Sequence, residues 1–244
     1  MSLAKSGSTW FAELLAELPG FHKYQPAAWT ASLIVEPNND FYAGILAETR
    51  HRLAVVKGHT SGTKDNVAAL HRSGLRYLIT VRDPRDQIIS GYWYLRNRPL
   101  HPAHQEALKL SLKDFITNEL DPETAIISRA DWLRGWIANR DPERSLLIRY
   151  EDLLDDAPSQ LRRAFDFLGI AVHSSEIEQM VANNAFEAKT GRSRGEEDTG
   201  AFRRKGTSGE WRSVFTLEHR QQCERSFEDI IVSLGYEPTM ADHL

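Results

Sequence analysis

The pattern that most restricts the fold is a series of short apolar runs set apart by helix-length amphipathic stretches. Leu53–Val56, Tyr77–Val81 and Leu146–Ile148 are too short for helices and rich in Val, Ile and Leu. Tyr77–Val81 is the strongest strand candidate, a continuous run suited to burial on both faces. Between these runs the period changes. Trp10, Phe11, Leu14, Leu15 and Leu18 fall at helical spacing over residues 10–18, and Pro19-Gly20 stops the run. Helices are also predicted over 64–72, ended by Gly74, from Asp83 onward with Ile88, Ile89 and Tyr92, over 125–138, and over 158–168. Thr216 is the predicted N-cap of a last amphipathic helix that runs to Leu234. Strands alternating with helices predict an α/β chain with a parallel sheet. Residues 187–210 break the pattern: Gly, Ser, Arg, Glu and Lys dominate, as in a long, mobile, functional loop.

Composition narrows the classes. The length of 244 residues fits one generous domain or two small ones. Lys and Arg number 30 against 34 Asp and Glu, so a bulk-basic nucleic-acid binder is not expected, while a local basic pocket is. Cys223 is the only cysteine, which excludes an internal disulfide and a thiolate metal site and points to a reducing, cytoplasmic setting. No apolar run approaches the ~20 residues of a membrane helix, and no signal-peptide pattern opens the chain.

Four segments carry chemistry. Lys5-Ser6-Gly7-Ser8-Thr9-Trp10 precedes the first helix, where backbone N–H groups form an anion site, Gly7 allows close approach and Lys5 adds charge. The same residues also fit a plain Ser/Thr cap after an exposed lysine. The G-x-x-x-x-G-K-[ST] phosphate loop is absent, which disfavours an ordinary ATP or GTP hydrolase. Arg82-Asp83-Pro84-Arg85-Asp86 follows the best strand, and Ser90 shares a helical face with Asp83 and Asp86. An arginine fork with a nearby hydroxyl suits a phosphate, and equally a salt-bridged helix start. Lys57-Gly58-His59 places an imidazole at a strand end, as a general base or as a structural histidine. Arg203-Arg204-Lys205-Gly206 and Gly209-Glu210-Trp211-Arg212 lie in the polar loop, as a second anion clamp or a solvated basic run. Together they call for a ligand with two separated anionic groups.

In this order the segments resemble the sulfotransferases that use 3′-phosphoadenosine 5′-phosphosulfate (PAPS). Lys5-Ser6-Gly7-Ser8-Thr9-Trp10 is similar to their K-S-G-T-T-W loop, and Arg82 with Ser90 to their 3′-phosphate element. Arg204-Lys205-Gly206 with Gly209-Glu210-Trp211 resembles R-K-G-x-x-G-[DE]-W; Lys57-x-His59 and Tyr150-Glu151-Asp152 match too. The resemblance implies a single domain over residues 1–244 with a three-layer α/β/α, P-loop-like fold around a central parallel sheet. It implies that Lys5, Ser6, Gly7, Ser8 and Thr9 hold the 5′-phosphosulfate. Arg82, Ser90, Arg204, Lys205 and Gly206 would hold the 3′-phosphate. Trp10 would stack on the adenine with Phe186 opposite, and Tyr150 would meet the adenine edge. His59 would be the base, with Lys57 and Lys5 stabilising charge, and no metal is expected.

Two departures accompany the resemblance. Only Met1-Ser2-Leu3-Ala4 precedes Lys5, so the family's first strand is expected to be shortened or missing. The family's dimer signature K-x-x-x-T-V-x-x-x-E reads here as Arg212, Thr216, Leu217 and Gln221, an imperfect match for a homodimer. The alternatives are a PAPS- or PAP-binding protein without catalysis, and a P-loop small-molecule kinase. The acceptor is expected to be a small hydroxylated molecule rather than a Golgi-type glycan or a protein, with neither a nucleic acid nor a membrane as partner. Candidate rim aromatics are Phe21, Tyr24 and Trp29, Tyr92, Trp93 and Tyr94, and Trp132 and Trp136, which fit a core equally well.

Overall fold

The computed structural model describes residues 1–24, 47, 53–126 and 128–241. The chain divides into two compact units: Met1–Val81 with Gly135–Gly191, and Arg82–Arg134 with Arg192–Leu244.

The first unit holds all four strands found among the described residues. Strand β1 (Phe21–Tyr24) pairs in parallel with β2 (Leu53–Val56), and β3 (Tyr77–Val81) with β4 (Ser145–Arg149). The expected central sheet is therefore two parallel pairs. The chain start lies between them: Ser2 N–H donates to the Gly58 carbonyl at 2.9 Å, and Thr80 N–H donates to the Met1 carbonyl at 2.9 Å. Ser2 and Thr80 form one isolated parallel bridge. A cavity of about 270 Å³ lies between β2 and β3, lined by Met1, Val55, Val56, Leu78, Phe165 and Ile170.

Helix α1 (Ser8–Ala16) buries Phe11, Leu14 and Leu15, the stripe that its apolar spacing predicts. That stripe packs with Leu161 and Phe165 of a helix over Ala157–Leu168, with Ile177 and Met180 of one over Ser174–Asn183, and with Ile148 of β4. Helix α2 (Lys64–Arg72) starts at Thr63, whose hydroxyl accepts the Asn66 N–H. Tyr77 is buried beside Trp136, and the Trp136 indole donates to the Thr60 carbonyl at 3.1 Å. Two short helices, Tyr150–Asp155 and Phe186–Thr190, complete the unit.

The second unit is helical. Helix α3 (Pro84–Arg96) is capped by Asp83, with Pro84 in its first turn. Its Ile88, Ile89 and Leu95 are buried, as are Phe115 and Ile116 of the helix Leu112–Leu120 and Phe227, Ile230 and Ile231 of the helix Leu217–Ser233. Thr216 caps that last helix as expected, so this residue of the dimer signature serves a local role. Arg129 and Glu119 form a buried ion pair beneath Gly91, where a Cβ would meet Arg129 Nη2 at 2.6 Å. The helix expected over 125–138 runs Arg129–Asn139, crossing from one unit to the other. Its start is delayed because Ala125 and Ile126 are tied back, their N–H groups donating to the Asp121 carbonyl and to Glu119 Oε1, each at 2.9 Å.

Of the candidate rim aromatics, Tyr92, Trp132 and Trp136 are buried core residues; Trp29 lies outside the described residues. The polar loop opens as the Phe186–Thr190 helix, and further on it folds back on itself. Gly195 N–H donates to the Lys205 carbonyl at 2.9 Å and Asp198 N–H to the Arg204 carbonyl at 3.0 Å. Among the described residues no helix is long and apolar enough to cross a membrane.

Candidate functional site

In the first unit the Lys5–Thr9 segment is the candidate anion cradle. Lys5 has φ 71° and Gly7 φ 78°, both left-handed. For Lys5 this is strain, of the kind found where a loop must aim its amides at a ligand. At Gly7 it excludes any other residue, because an added Cβ would lie 2.4 Å from Tyr150 Cδ2. Gly7 is the N-cap of α1, so the N–H groups of Ser8, Thr9 and Trp10 form the first turn. Ser6 is buried and donates its hydroxyl to the Leu3 carbonyl at 2.6 Å, which braces the loop.

The segment just after strand β2 carries the two other candidate side chains, Lys57 and His59. Lys57 Nζ donates to Thr9 Oγ1 at 3.2 Å, which places its charge on the cradle. Burial lowers the Lys57 pKa, with help from nearby Lys23 and against the pull of Glu13. His59 Nδ1 lies 2.6 Å from the Ser2 carbonyl oxygen. A carbonyl only accepts, so neutral His59 donates from Nδ1 and carries its lone pair on Nε2. Burial lowers the His59 pKa, and the Ser2 bond opposes it without offsetting it.

The adenine candidates are placed by side-chain contacts. Trp10 Nε1 donates to the Asn184 carbonyl at 2.9 Å, and its ring meets Tyr150 edge-on with centroids 6.2 Å apart. Tyr150 is buried against Gly7, so it shapes the cradle itself; Phe186 is buried at the start of its helix. The first unit thus brings together Lys5, Ser6, Gly7, Ser8, Thr9, Trp10, Lys57 and Tyr150, with His59 two residues beyond Lys57.

The 3′-phosphate candidates lie in the second unit. Arg82 Nη2 donates to the Thr207 carbonyl at 3.0 Å and stands 3.8 Å from Asp86 Oδ2. Asp86, fully buried, accepts the Gly209 N–H and, at 3.0 Å, the Trp211 N–H. One carboxylate thereby ties the Arg204-to-Trp211 segment to α3. Burial raises the Asp86 pKa, against Arg82 and those two N–H bonds. Ser90 is half-buried one turn further along α3. Arg204 makes a fork onto Glu210, with one Nη1–Oε1 bond of 3.0 Å, and also meets Glu197; Lys205 Nζ lies 3.4 Å from Glu210 Oε1. Burial works against charge on Arg204, yet Glu210 and Glu197 outweigh it and raise its pKa.

Sequence reasoning missed four supporting groups. The Ser2 carbonyl and Asn184 carbonyl are backbone atoms and leave no side-chain signal. Asp86 and Glu197 stood in charged runs whose partners only the fold identifies. Among the described residues no group of three or more His, Cys, Asp or Glu could hold a metal ion.

Comparison with known proteins gives a consistent picture. The Sulfotransferase domain profile matches residues 1–242. Sulfotransferase 2A6 of Mus musculus is 25% identical, with 69% of this chain and 60% of the relative covered. Sulfotransferase 2B1 of Rattus norvegicus is 28% identical, with 61% and 45% covered. The chain thus spans about half to three-fifths of the length of these relatives. In structure it is similar to mouse sulfotransferase SULT7A1 complexed with PAP, with TM-score 0.72, 21% identity, and 94% and 82% covered. It is also similar to retinol dehydratase in complex with androsterone and inactive cofactor PAP, with TM-score 0.62, 20% identity, and 94% and 79% covered.

Proposed function

The chain belongs to the Sulfotransferase domain family, and on that premise we propose that it transfers a sulfuryl group from PAPS to a hydroxyl or amine of a small-molecule acceptor, releasing PAP. The observation that carries this is the pairing of a strained amide cradle, Lys5 to Thr9, with Lys57 bonded to Thr9 and a histidine whose tautomer is set. We take residues 1–244 as one domain of three-layer, P-loop-like architecture. Structural neighbours hold the small molecules androsterone and retinol, in keeping with a small acceptor.

The donor supplies the sulfuryl group and a phosphate leaving group; the chain supplies position and charge. Sulfuryl transfer resembles phosphoryl transfer, with in-line attack and charge gathering on the leaving oxygen. The amides of Ser6 to Thr9, with Lys5 and Lys57, meet that charge, and fixed donors of this kind carry most of such stabilisation. His59 Nε2 accepts the proton of the attacking hydroxyl. Trp10 stacks on the adenine with Phe186 opposite and Tyr150 at its edge. Arg82, Ser90, Arg204, Lys205 and Gly206 hold the 3′-phosphate. A nucleotide without that phosphate gains nothing from these groups, so ATP is a poor ligand.

The test is transfer of labelled sulfate from PAPS to a panel of phenols, alcohols and sugars, beside thermal shifts with adenosine 3′,5′-bisphosphate and with ATP–magnesium. Transfer to any acceptor supports catalysis. Stabilisation by the bisphosphate with no transfer indicates a binding protein, and greater stabilisation by ATP–magnesium indicates a kinase.

A further inference from the structure

Arg204 already holds two carboxylates. Glu210 grips it from a largely buried position, with its Oε1 also facing Lys205. Its side chain is only 12% exposed, and burial of the pair leaves it little room to move. Glu197 is different. It makes one contact, to Nη1, and its side chain is 36% exposed. The backbone decides that it sits there. Gly195 N–H bonds the Lys205 carbonyl and Asp198 N–H bonds the Arg204 carbonyl, so Glu197 lies between two rungs that hold it over Arg204. Arg192 ties the same turn, donating from Nη1 to the carbonyls of Glu196 and Arg204 at 2.8 Å each.

Glu210 and Lys205 already balance the charges that they bring, so Glu197 adds a negative charge to an arginine proposed to receive a phosphate. This inference rests on that proposed role for Arg204. We infer that Glu197 is an internal competitor for the 3′-phosphate: its carboxylate occupies Arg204 Nη1 until a phosphate dianion displaces it, and it returns when the nucleotide leaves. A dianion with three oxygens outbids one carboxylate, because charge-assisted bonds to guanidinium strengthen with acceptor charge and number. Binding is weakened by the cost of breaking the Glu197 contact, for every ligand that bears a 3′-phosphate. The product PAP bears one, so Glu197 speeds its release. Ligands without that group do not compete with Glu197 and are indifferent to it.

The experiment is calorimetric titration of adenosine 3′,5′-bisphosphate and adenosine 5′-phosphate into the full chain, E197Q and R204A. Removal of one partly exposed charged contact predicts that E197Q binds the bisphosphate about five- to tenfold more tightly. Adenosine 5′-phosphate affinity should stay within about twofold of the parent. R204A should lose at least about tenfold for the bisphosphate alone. If R204A weakens the bisphosphate while E197Q binds it no better than the parent, the competitor role of Glu197 is overturned and the clamp stands. If R204A leaves both affinities unchanged, the clamp itself is wrong and Glu197 has nothing to compete for.

Discussion

The Ser2 carbonyl oxygen lies 2.6 Å from His59 Nδ1, so the residue that bridges to Thr80 also orients the proposed base. Replacing His59 with Ala should lower turnover by about 10²- to 10⁴-fold and leave bisphosphate affinity within about twofold. Retained turnover would remove His59 from the mechanism. The pH profile is a second check. Burial and Lys57 disfavour the imidazolium, more than the Ser2 bond favours it, so His59 stays neutral to lower pH than a free imidazole. The acid limb of kcat/KM should lie below about pH 6.5, the ordinary imidazole value. Lys57 acts as a cation, and its lowered pKa puts the alkaline limb below the ordinary lysine range.

Gly7→Ala tests the cradle. The new methyl would meet the Tyr150 ring at 2.4 Å, on a backbone with φ 78° that an L side chain rarely adopts. Left-handed strain costs about 1–3 kcal/mol and the clash adds to it, so urea unfolding should show a loss of at least about 2 kcal/mol. Bisphosphate affinity should fall with it, since the amides no longer point to one centre. A variant of parental stability would mean that the loop relaxes and that its shape is not imposed by Tyr150.

These residues differ in how readable they were. Lys64–Arg72 and Tyr77–Val81 coincide with their helix and strand because capping, periodicity and length all point the same way. β1 was not foreseen: Phe21-His22-Lys23-Tyr24 exposes its two central polar residues and becomes a strand only by pairing with β2. By sequence, Lys5–Thr9 fits a plain helix cap as well as a cradle; the left-handed backbone of Lys5 and Gly7 is visible only in the fold. The Ser2 carbonyl was not legible, since any residue there offers the same atom. Glu197 looked like one charge in a solvated run, and its contact with Arg204 depends on two backbone rungs that no local pattern encodes.

Asp86→Asn tests how the clamp is assembled. Both carboxylate oxygens are used, on the Gly209 and Trp211 N–H groups, and the side chain is 1% exposed. An amide can accept one of those bonds, and its NH₂ then faces the other donor. Leaving a buried donor unmet costs about 1–3 kcal/mol, which unfolding should report. The Arg204-to-Trp211 segment would also lose its tie to α3. Bisphosphate affinity should therefore drop about tenfold or more, while adenosine 5′-phosphate affinity stays near parental. Equal losses for both nucleotides would show that Asp86 supports the fold and not the clamp.

The Met1 amine makes stability depend on pH in a chain that begins at Met1. It is buried, donates to the Leu78 carbonyl at 2.5 Å, and has its pKa lowered by desolvation from 8.0 to about 5. Between those values the unfolded chain binds a proton at this amine that the folded chain does not. Unfolding free energy must then rise with pH across that window and fall as the solution is acidified. His59 has the same sign, but its proton is gained in the unfolded chain only near and below about pH 6.5. The interval from about pH 6.5 to 8 therefore isolates the amine, and there the gain should be about 2 kcal/mol. Urea unfolding of the free-amine chain at both ends of the interval should show this slope. An N-acetylated chain should lose it, because an amide at that position has no proton to exchange. Equal slopes in the two chains would mean that the amine is solvated, and that the cavity between β2 and β3 admits water to it.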